Sequence, residues 1–572
     1  MQAIYVGIAA VWVSTANGAA LADEQPADLI IRNAVIYDGS GQAPIHGEIA
    51  VRDGRVIAIG EAKPFDAKRT IDARGLAVAP GFINVLSWAT DSLMYDGRAM
   101  SDVKQGVTLE IFGEGTSWGP INDVLRTEMQ KTQTEIRYDI TWTTLGEYLD
   151  ELVARGVSPN VASFVGATTV RVHELGYANR KPSEQELRRM QDLVRAAMRE
   201  GALGLGSSLI YVPGTYAQTD ELIALARAAS EFDGVYISHL RSESNRMLEA
   251  LDELIQIARE GNIAAEVYHL KAAGEANWPK MAQALSKIEQ ARKAGLRITA
   301  NMYPYTAGAT GLDAAMPPWV QEGGIDAWVA RLEDPKVRKR VLQEMREPTG
   351  EWESLYQAAG SADRLRLRGF KNEKLKPLIG QTLAEVARNR GVTPEDAAID
   401  LVIEDRSRVP TAYELMSETN VMLGLAQPWI SIGSDAEAPA SEGPFLRNNP
   451  HPRAYGSFAR FLGHYVREKK VADLASAVRR LTSLPAQTFK LKDRGCLAVG
   501  CHADIVVFDP AKIHDRATFE QPHRYADGVV HVFVNGVQVL ANGEHTGAKP
   551  GQAVRGPGWR GWSKEAGGRA TR

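Results

Sequence analysis

Eight times along the middle of the chain, an apolar run of strand length ends in a small or polar residue and gives way to a helical stretch. The runs are "GFINVLS", "TLEIFGEG", "VASFVGA", "ALGLGSSL", "GVYISHL", "AAEVYHL", "ITANMYPY" and "WISIGSDA". Unbroken apolar runs are what strands covered on both faces require. The stretches between them have helical spacing. From Glu184 to Glu200, residues Leu187, Met190, Val194 and Ala197 recur on one face, and Ser183 with Glu186 forms a capping box at the start. Eight strand–helix units in series predict an α/β fold, a (β/α)8 TIM barrel. A doubly wound sheet is the alternative, but it seldom needs eight such units.

Both flanks read differently. "LIIRNAVIYDG" and "EIAVRDGRVIAIG" alternate as half-buried strands do, with Asp53-Gly54 as a hairpin turn, and "ADIVVFDP" and "VVHVFVNGVQVLANG" repeat that character near the other end. They predict a small β-sandwich built from both termini, residues 23–79 and 486–547, around a barrel domain at 80–485. The roughly 120 residues between the seventh and eighth runs are too many for a loop. An insert at about 310–425, placed before the last strand, would act as a lid. The Gly-rich, basic segment 548–572 reads as a flexible tail.

Residues 1–22 form an apolar run ending in small residues, as a secretory signal peptide with an Ala-x-Ala cleavage site does, although no Lys or Arg precedes it. That predicts a periplasmic or secreted protein, with a disordered N-terminal extension as the alternative. No other apolar run approaches the ~20 residues of a membrane span, so no membrane partner is expected. The two cysteines, Cys496 and Cys501, can bridge after export but cannot build a disulfide framework. Lys plus Arg number 66 against 70 Asp plus Glu, a balance without the basic excess of a nucleic-acid binder. A small-molecule substrate is the expected partner, and the oligomeric state is left open.

In such barrels chemistry gathers at the C-terminal ends of the strands. The fifth and sixth runs both end in histidine, His239 and His269, one strand–helix unit apart. A lone strand-end histidine is ordinarily structural. Two on successive strands, with carboxylates ending two other runs, point to a metal. Glu114 in "FGEGTS" completes a His2Glu set suited to one zinc, or another divalent ion, with an open position. Its other reading is a solvated turn carboxylate. Asp435 in "SIGSDAEAP" is placed to move a proton between water and a leaving nitrogen, or to cap the next helix. Arg453 in "HPRAYG" suits a substrate carboxylate or an internal acid, and Tyr303 and Tyr211 line a pocket or simply pack.

The segments "PGFINV", "GALGLGSSLIYVPGTYAQTDEL", "SHLRSE", "YHLKAAG", "NMYPYTAGATGL", "IGSDA", "HPRAYGSFARFLG" and "LTSLPA" resemble the D-aminoacylase (N-acyl-D-amino-acid deacylase) family of metal-dependent amidohydrolases, from about Asp28 to Gly556. The resemblance implies a zinc enzyme that removes an acyl group from the nitrogen of D-amino acids. It implies His239 and His269 as metal ligands, Asp435 as the catalytic aspartate, and Arg453 and Tyr303 as holders of the substrate carboxylate. Four places depart from the family pattern. The first-strand histidine pair is Leu86 and Trp88. The ligand Cys aligns with Gly115, one residue after Glu114. The third-strand His is Ala167, and a Ser near the substrate carboxylate is Ala309. Leu86 and Trp88 cannot hold zinc, so a mononuclear site is expected, with Glu114 in place of the Cys and Trp88 as an apolar, substrate-facing wall. The changed pocket leaves two alternatives: the same site acting on a lactone, cyclic amide, xenobiotic amide or C–C bond, or an exported binding protein without catalysis.

Overall fold

The computed structural model describes residues 26–61, 66–347 and 350–562; the predicted signal peptide lies outside them. Eight parallel staves, here β1 to β8, form the barrel: Phe82–Asn84, Val107–Phe112, Asn160–Ser163 (continued by Val165–Gly166), Gly204–Ser208, Val235–His239, Ala264–Val267, Ile298–Met302 and Ile430–Ile432. They coincide with the eight apolar runs. Neighbours pair in parallel around the ring, and β5 is buried along its whole length. Helix Glu184–Arg199 begins at the predicted capping box, with Glu186 N donating to Ser183 Oγ and Ser183 N to Glu186 Oε2.

The ring closes between β1 and β8 just beyond the strands themselves. Asp435 N donates to Leu86 O at 2.8 Å and Trp88 N to Ala436 O at 2.9 Å. This seam sets Trp88 beside Asp435. Below it, the buried Asn84 amide donates to Asp102 and Glu110 while its oxygen accepts from Ser434 N at 2.9 Å. The residue preceding Asp435 is thus fixed from inside the barrel.

One nine-stranded sheet takes strands from both ends of the chain, Ile505–Phe508 pairing with Ala77–Pro80, which in turn pairs with Leu29–Ile36. The predicted hairpin joins Ile45–Arg52 to Arg55–Gly60, with Asp53 and Gly54 both at positive φ as a tight two-residue turn demands. Phe82 of β1 ties this sheet to the barrel. Its ring meets Phe508 edge-on at 6.0 Å and Phe458 at 6.3 Å, and Phe458 lies on the helix Arg453–Arg460 that carries Arg453. An aromatic side chain buried so contributes about 1.5–3 kcal/mol.

The insert is a layer of its own, with an antiparallel sheet of Ala307–Gly311, Pro410–Glu414 and Leu365–Leu367 flanked by helices that include Pro335–Arg346 and Pro394–Asp405. The predicted free tail is corrected through residue 562. Gly551 N and Val554 N donate to Val157 O and Val161 O, and Arg555 is paired with Asp150. Small residues let this backbone lie flat: a Cβ at Gly551 would stand 2.0 Å from Pro159 O. Among the described residues, no helix is long and apolar enough to cross a membrane.

Candidate active site

Glu114, His239 and His269 are buried and converge at the C-terminal mouth, with one ligand atom from each within 4.8 Å of the others. Glu114 Oε1 lies 3.1 Å from His239 Nδ1 and 2.9 Å from His269 Nε2, and the imidazole rings sit 4.5 Å apart at 83°. His239 ends β5, while His269 follows β6 in a left-handed backbone conformation (φ 31°) that His269 N stabilises by donating to Asn301 Oδ1. Glu114 follows β2. The adjacent Gly115 explains why the carboxylate is one residue early: it has φ 72°, and a Cβ there would stand 2.5 Å from Ser208 Cβ. A side chain at 115 has no room, so position 114 must deliver the acidic group.

This donor set fits a catalytic zinc. Two imidazoles and a carboxylate leave a fourth position open. Burial raises the Glu114 carboxyl, but the attraction of His269 and hydrogen bonds from both imidazoles outweigh that and hold it well below the usual range. For His269, burial and Lys271 act downward, yet Glu243 and Glu114 raise it to about 9. A metal at this ring would compete with the proton that the two carboxylates favour.

Two residues that the sequence reading did not single out support the imidazoles. Glu243 Oε1 accepts from Lys271 Nζ at 2.6 Å and lies 3.0 Å from His269 Nδ1, while Glu243 Oε2 lies 3.6 Å from His239 Nε2. Their signal was proximity in sequence: Glu243 lies four residues after His239 in the loop that follows the strand, and Lys271 is two residues beyond His269. The insert reaches the same loop through Glu353, which accepts from Ser242 Oγ, Ser244 Oγ and Glu243 N.

Asp435 also has a left-handed backbone (φ 49°) and is buried. Its Oδ2 lies 2.9 Å from Arg453 Nη1, an ion pair rather than a directed hydrogen bond, and Arg453 Nε has no partner. Burial raises the Asp435 carboxyl above its ordinary value, with Arg453 opposing and Glu114 reinforcing. Of the two sequence readings, neither helix cap nor solvated turn describes Asp435 or Glu114, and Arg453 pairs with an internal acid while keeping spare donors. Arg453 lies 4.6 Å from the Tyr303 ring and donates to Ala309 O, so the missing Ser hydroxyl leaves a backbone carbonyl engaged. Tyr211 meets the His239 ring at 5.3 Å and Arg408 at 4.8 Å. A further guanidinium, Arg368 of the insert, is pushed down to about 9 by burial and then by repulsion from Arg453.

Trp88 corrects the expectation of an apolar wall. Its indole edge faces the site, and Nε1 donates to Glu114 Oε2 at 3.0 Å and to Asp435 Oδ1 at 3.2 Å. Leu86 is buried, and Ala167 opens the helix Ala167–Leu175; neither has a group to offer a metal.

The amidohydrolase family model matches residues 114–540. The D-aminoacylase of Alcaligenes xylosoxydans xylosoxydans is 31% identical over 536 residues, covering 93% of this chain and 98% of the relative. The chain belongs to the D-aminoacylase family of amidohydrolases. A solved N-acyl-D-glutamate deacylase from Bordetella bronchiseptica, complexed with zinc and a phosphonate mimic of the tetrahedral intermediate, superposes with a TM-score of 0.77 at 30% identity, covering 93% of this chain and all of that one. A solved D-aminoacylase, described as having a binuclear centre with one-metal activation and second-metal attenuation, superposes with a TM-score of 0.76 at 29% identity over the same shares. This family member is a metal-dependent amidohydrolase acting on carbon–nitrogen bonds other than peptide bonds.

Proposed function

We propose that the chain deacylates N-acyl-D-amino acids, or related amides that carry a carboxylate, with a single zinc held by Glu114, His239 and His269. The observation that carries this reading is the pairing of Asp435 with Arg453 beside the ligand cluster: one acid fit to move a proton and one cation with donors to spare. Zinc at this site supplies Lewis-acid polarisation of the scissile carbonyl and of the attacking water.

The residues do the rest. The free donors of Arg453, seated over Tyr303, hold the substrate carboxylate, and the second guanidinium of Arg368 adds to the anion-attracting field. Fixing that carboxylate orients the neighbouring amide toward Asp435. Asp435 takes the proton from water as attack proceeds and passes it to the departing nitrogen, a task its raised pKa favours because it makes the carboxylate a better base. The D-configuration comes from the named relatives, which are a D-aminoacylase and an N-acyl-D-glutamate deacylase. Export is part of the proposal, supported by the N-terminal apolar run and by the Cys496–Cys501 disulfide, a bond that persists in oxidising compartments.

The test joins metal content to chirality. Plasma mass spectrometry is expected to find about one zinc per wild-type chain and none in Glu114→Ala, three protein ligands being the norm for catalytic zinc. Turnover of N-acetyl-D-amino acids is expected to exceed that of the L series and to vanish in the variant. A wild-type chain that takes up no zinc, or that favours the L series, would overturn the reading.

A further inference from the structure

The closing seam of the barrel places an indole where chemistry calls for a cation. Two buried carboxylates, Glu114 and Asp435, face each other across the mouth, and each divides its oxygens in the same way. Glu114 turns Oε1 to the two imidazoles and Oε2 to Trp88 Nε1; Asp435 turns Oδ2 to Arg453 and Oδ1 to the same Nε1. A single N–H thus bridges a metal ligand and the proton-transferring acid. Backbone bonds on both sides of the seam, Trp88 N to Ala436 O and Asp435 N to Leu86 O, hold the main chain that carries the indole beside Asp435.

We propose that the Trp88 indole N–H takes the structural place of a second metal ion, tying Glu114 to Asp435 so that the site is preset for one ion and closed to another. This rests on the one-zinc reading above and extends it to a positioning residue. Indole nitrogen is a donor only, with no lone pair to offer a metal. Its N–H fills the space between Glu114 Oε2 and Asp435 Oδ1, and Leu86 behind it is apolar and 1% exposed. A second ion would have to displace the N–H and would then find no protein ligand on β1. The bridge also orients Asp435, which reaches the reacting atoms, and Glu114, whose other oxygen, Oε1, is thereby held toward the two imidazoles. Groups that hydrogen-bond to ligands in this way typically govern metal affinity or activity by 10–100-fold.

The experiment compares wild type with Trp88→Phe, Trp88→Gln and the double variant Leu86→His/Trp88→His, each titrated with zinc, desalted and analysed by plasma mass spectrometry alongside kcat and KM. Wild type is expected to stop at one ion and to show no loss of turnover in excess zinc. Trp88→Phe, which keeps a ring and loses the donor, is expected to bind its single ion roughly ten- to a hundredfold more weakly, with kcat reduced and KM little changed. Trp88→Gln, which keeps an N–H and loses the ring, is expected to recover part of both losses. The double variant is expected to accept a second ion. If phenylalanine proves the better replacement, the ring merely fills space and the proposal fails. It also fails if wild type binds two ions. These outcomes are separable from failure of the one-zinc reading as a whole, which would appear as wild type without zinc.

Discussion

Strands β5 and β6 deliver His239 and His269 to the mouth of the barrel, whereas β1, across the opening, delivers Leu86 and Trp88. On the histidine side, geometry is held by charge: Glu243 and Lys271 stand behind the imidazoles at 3.0 and 2.8 Å from His269 Nδ1. On the seam side it is held by backbone hydrogen bonds, the neutral indole donor and a single ion pair between Asp435 and Arg453. The two sides meet at Trp88, whose Nε1 donates to both Glu114 and Asp435, while Glu243 and Lys271 contact only the histidine side.

Three perturbations probe that division, beginning with the largest effect. Asp435→Asn sits on the seam and keeps the shape of the side chain. It should lower kcat by roughly 10²–10⁴-fold, the usual range for a lost proton-transfer group, while mass spectrometry finds zinc retained because the ligands lie elsewhere. Equal losses of zinc and turnover would mean that Asp435 holds the metal as well as the proton. Next, Glu243→Ala removes the carboxylate behind both imidazoles. Zinc affinity should fall by roughly 10–100-fold in a competition titration, and an unchanged affinity would deny the histidine side its dependence on charge.

The smallest effect concerns pH. Glu266, inside the barrel beneath the histidines, accepts from Thr299 and Asn301, the latter holding His269 N. Burial raises its carboxyl from 4.5 to about 7 in the folded chain. The native state therefore binds this proton more tightly than the unfolded state does. The stability it contributes is present in full below the unfolded pKa and declines as pH rises through the folded one. Glu266→Gln, which imitates the protonated form, should leave Tm near wild type at about pH 4 and raise it by a few degrees at about pH 8. A Tm gain of the same size at both pH values would break the assignment.

Much of this architecture was legible before any coordinates. All eight staves, the capping box at Ser183 and the Asp53-Gly54 hairpin follow from local periodicity and turn chemistry. The converging residues Glu114, His239, His269 and Asp435 follow from their positions at strand ends, and Arg453 from the "HPRAYG" segment. What escaped has a common physical cause. Glu353 meets Ser242 across more than a hundred residues, and Asn301 meets His269 from the next strand, pairings that no local spacing encodes. The segment through residue 562 looked free because it is rich in glycine, yet glycine is what allows its backbone to lie against the barrel at Gly551. Trp88 looked apolar because composition treats indole as one property, whereas its polar edge is what the seam presents to the site.

The left-handed turns at His269 and Asp435 have a consequence for which substitutions these two positions tolerate. Among residues with side chains, Asn, Asp and His are several-fold enriched in that backbone region, and β-branched or bulky residues are genuine outliers there. The two positions thus draw on a short alphabet before any chemistry is considered. A glutamate is an equally good acid in solution, but at 435 it would trade a tolerated backbone for a strained one and carry its carboxylate one methylene past Arg453. At these two points the backbone torsion limits the choice of side chain as well as the chemistry does.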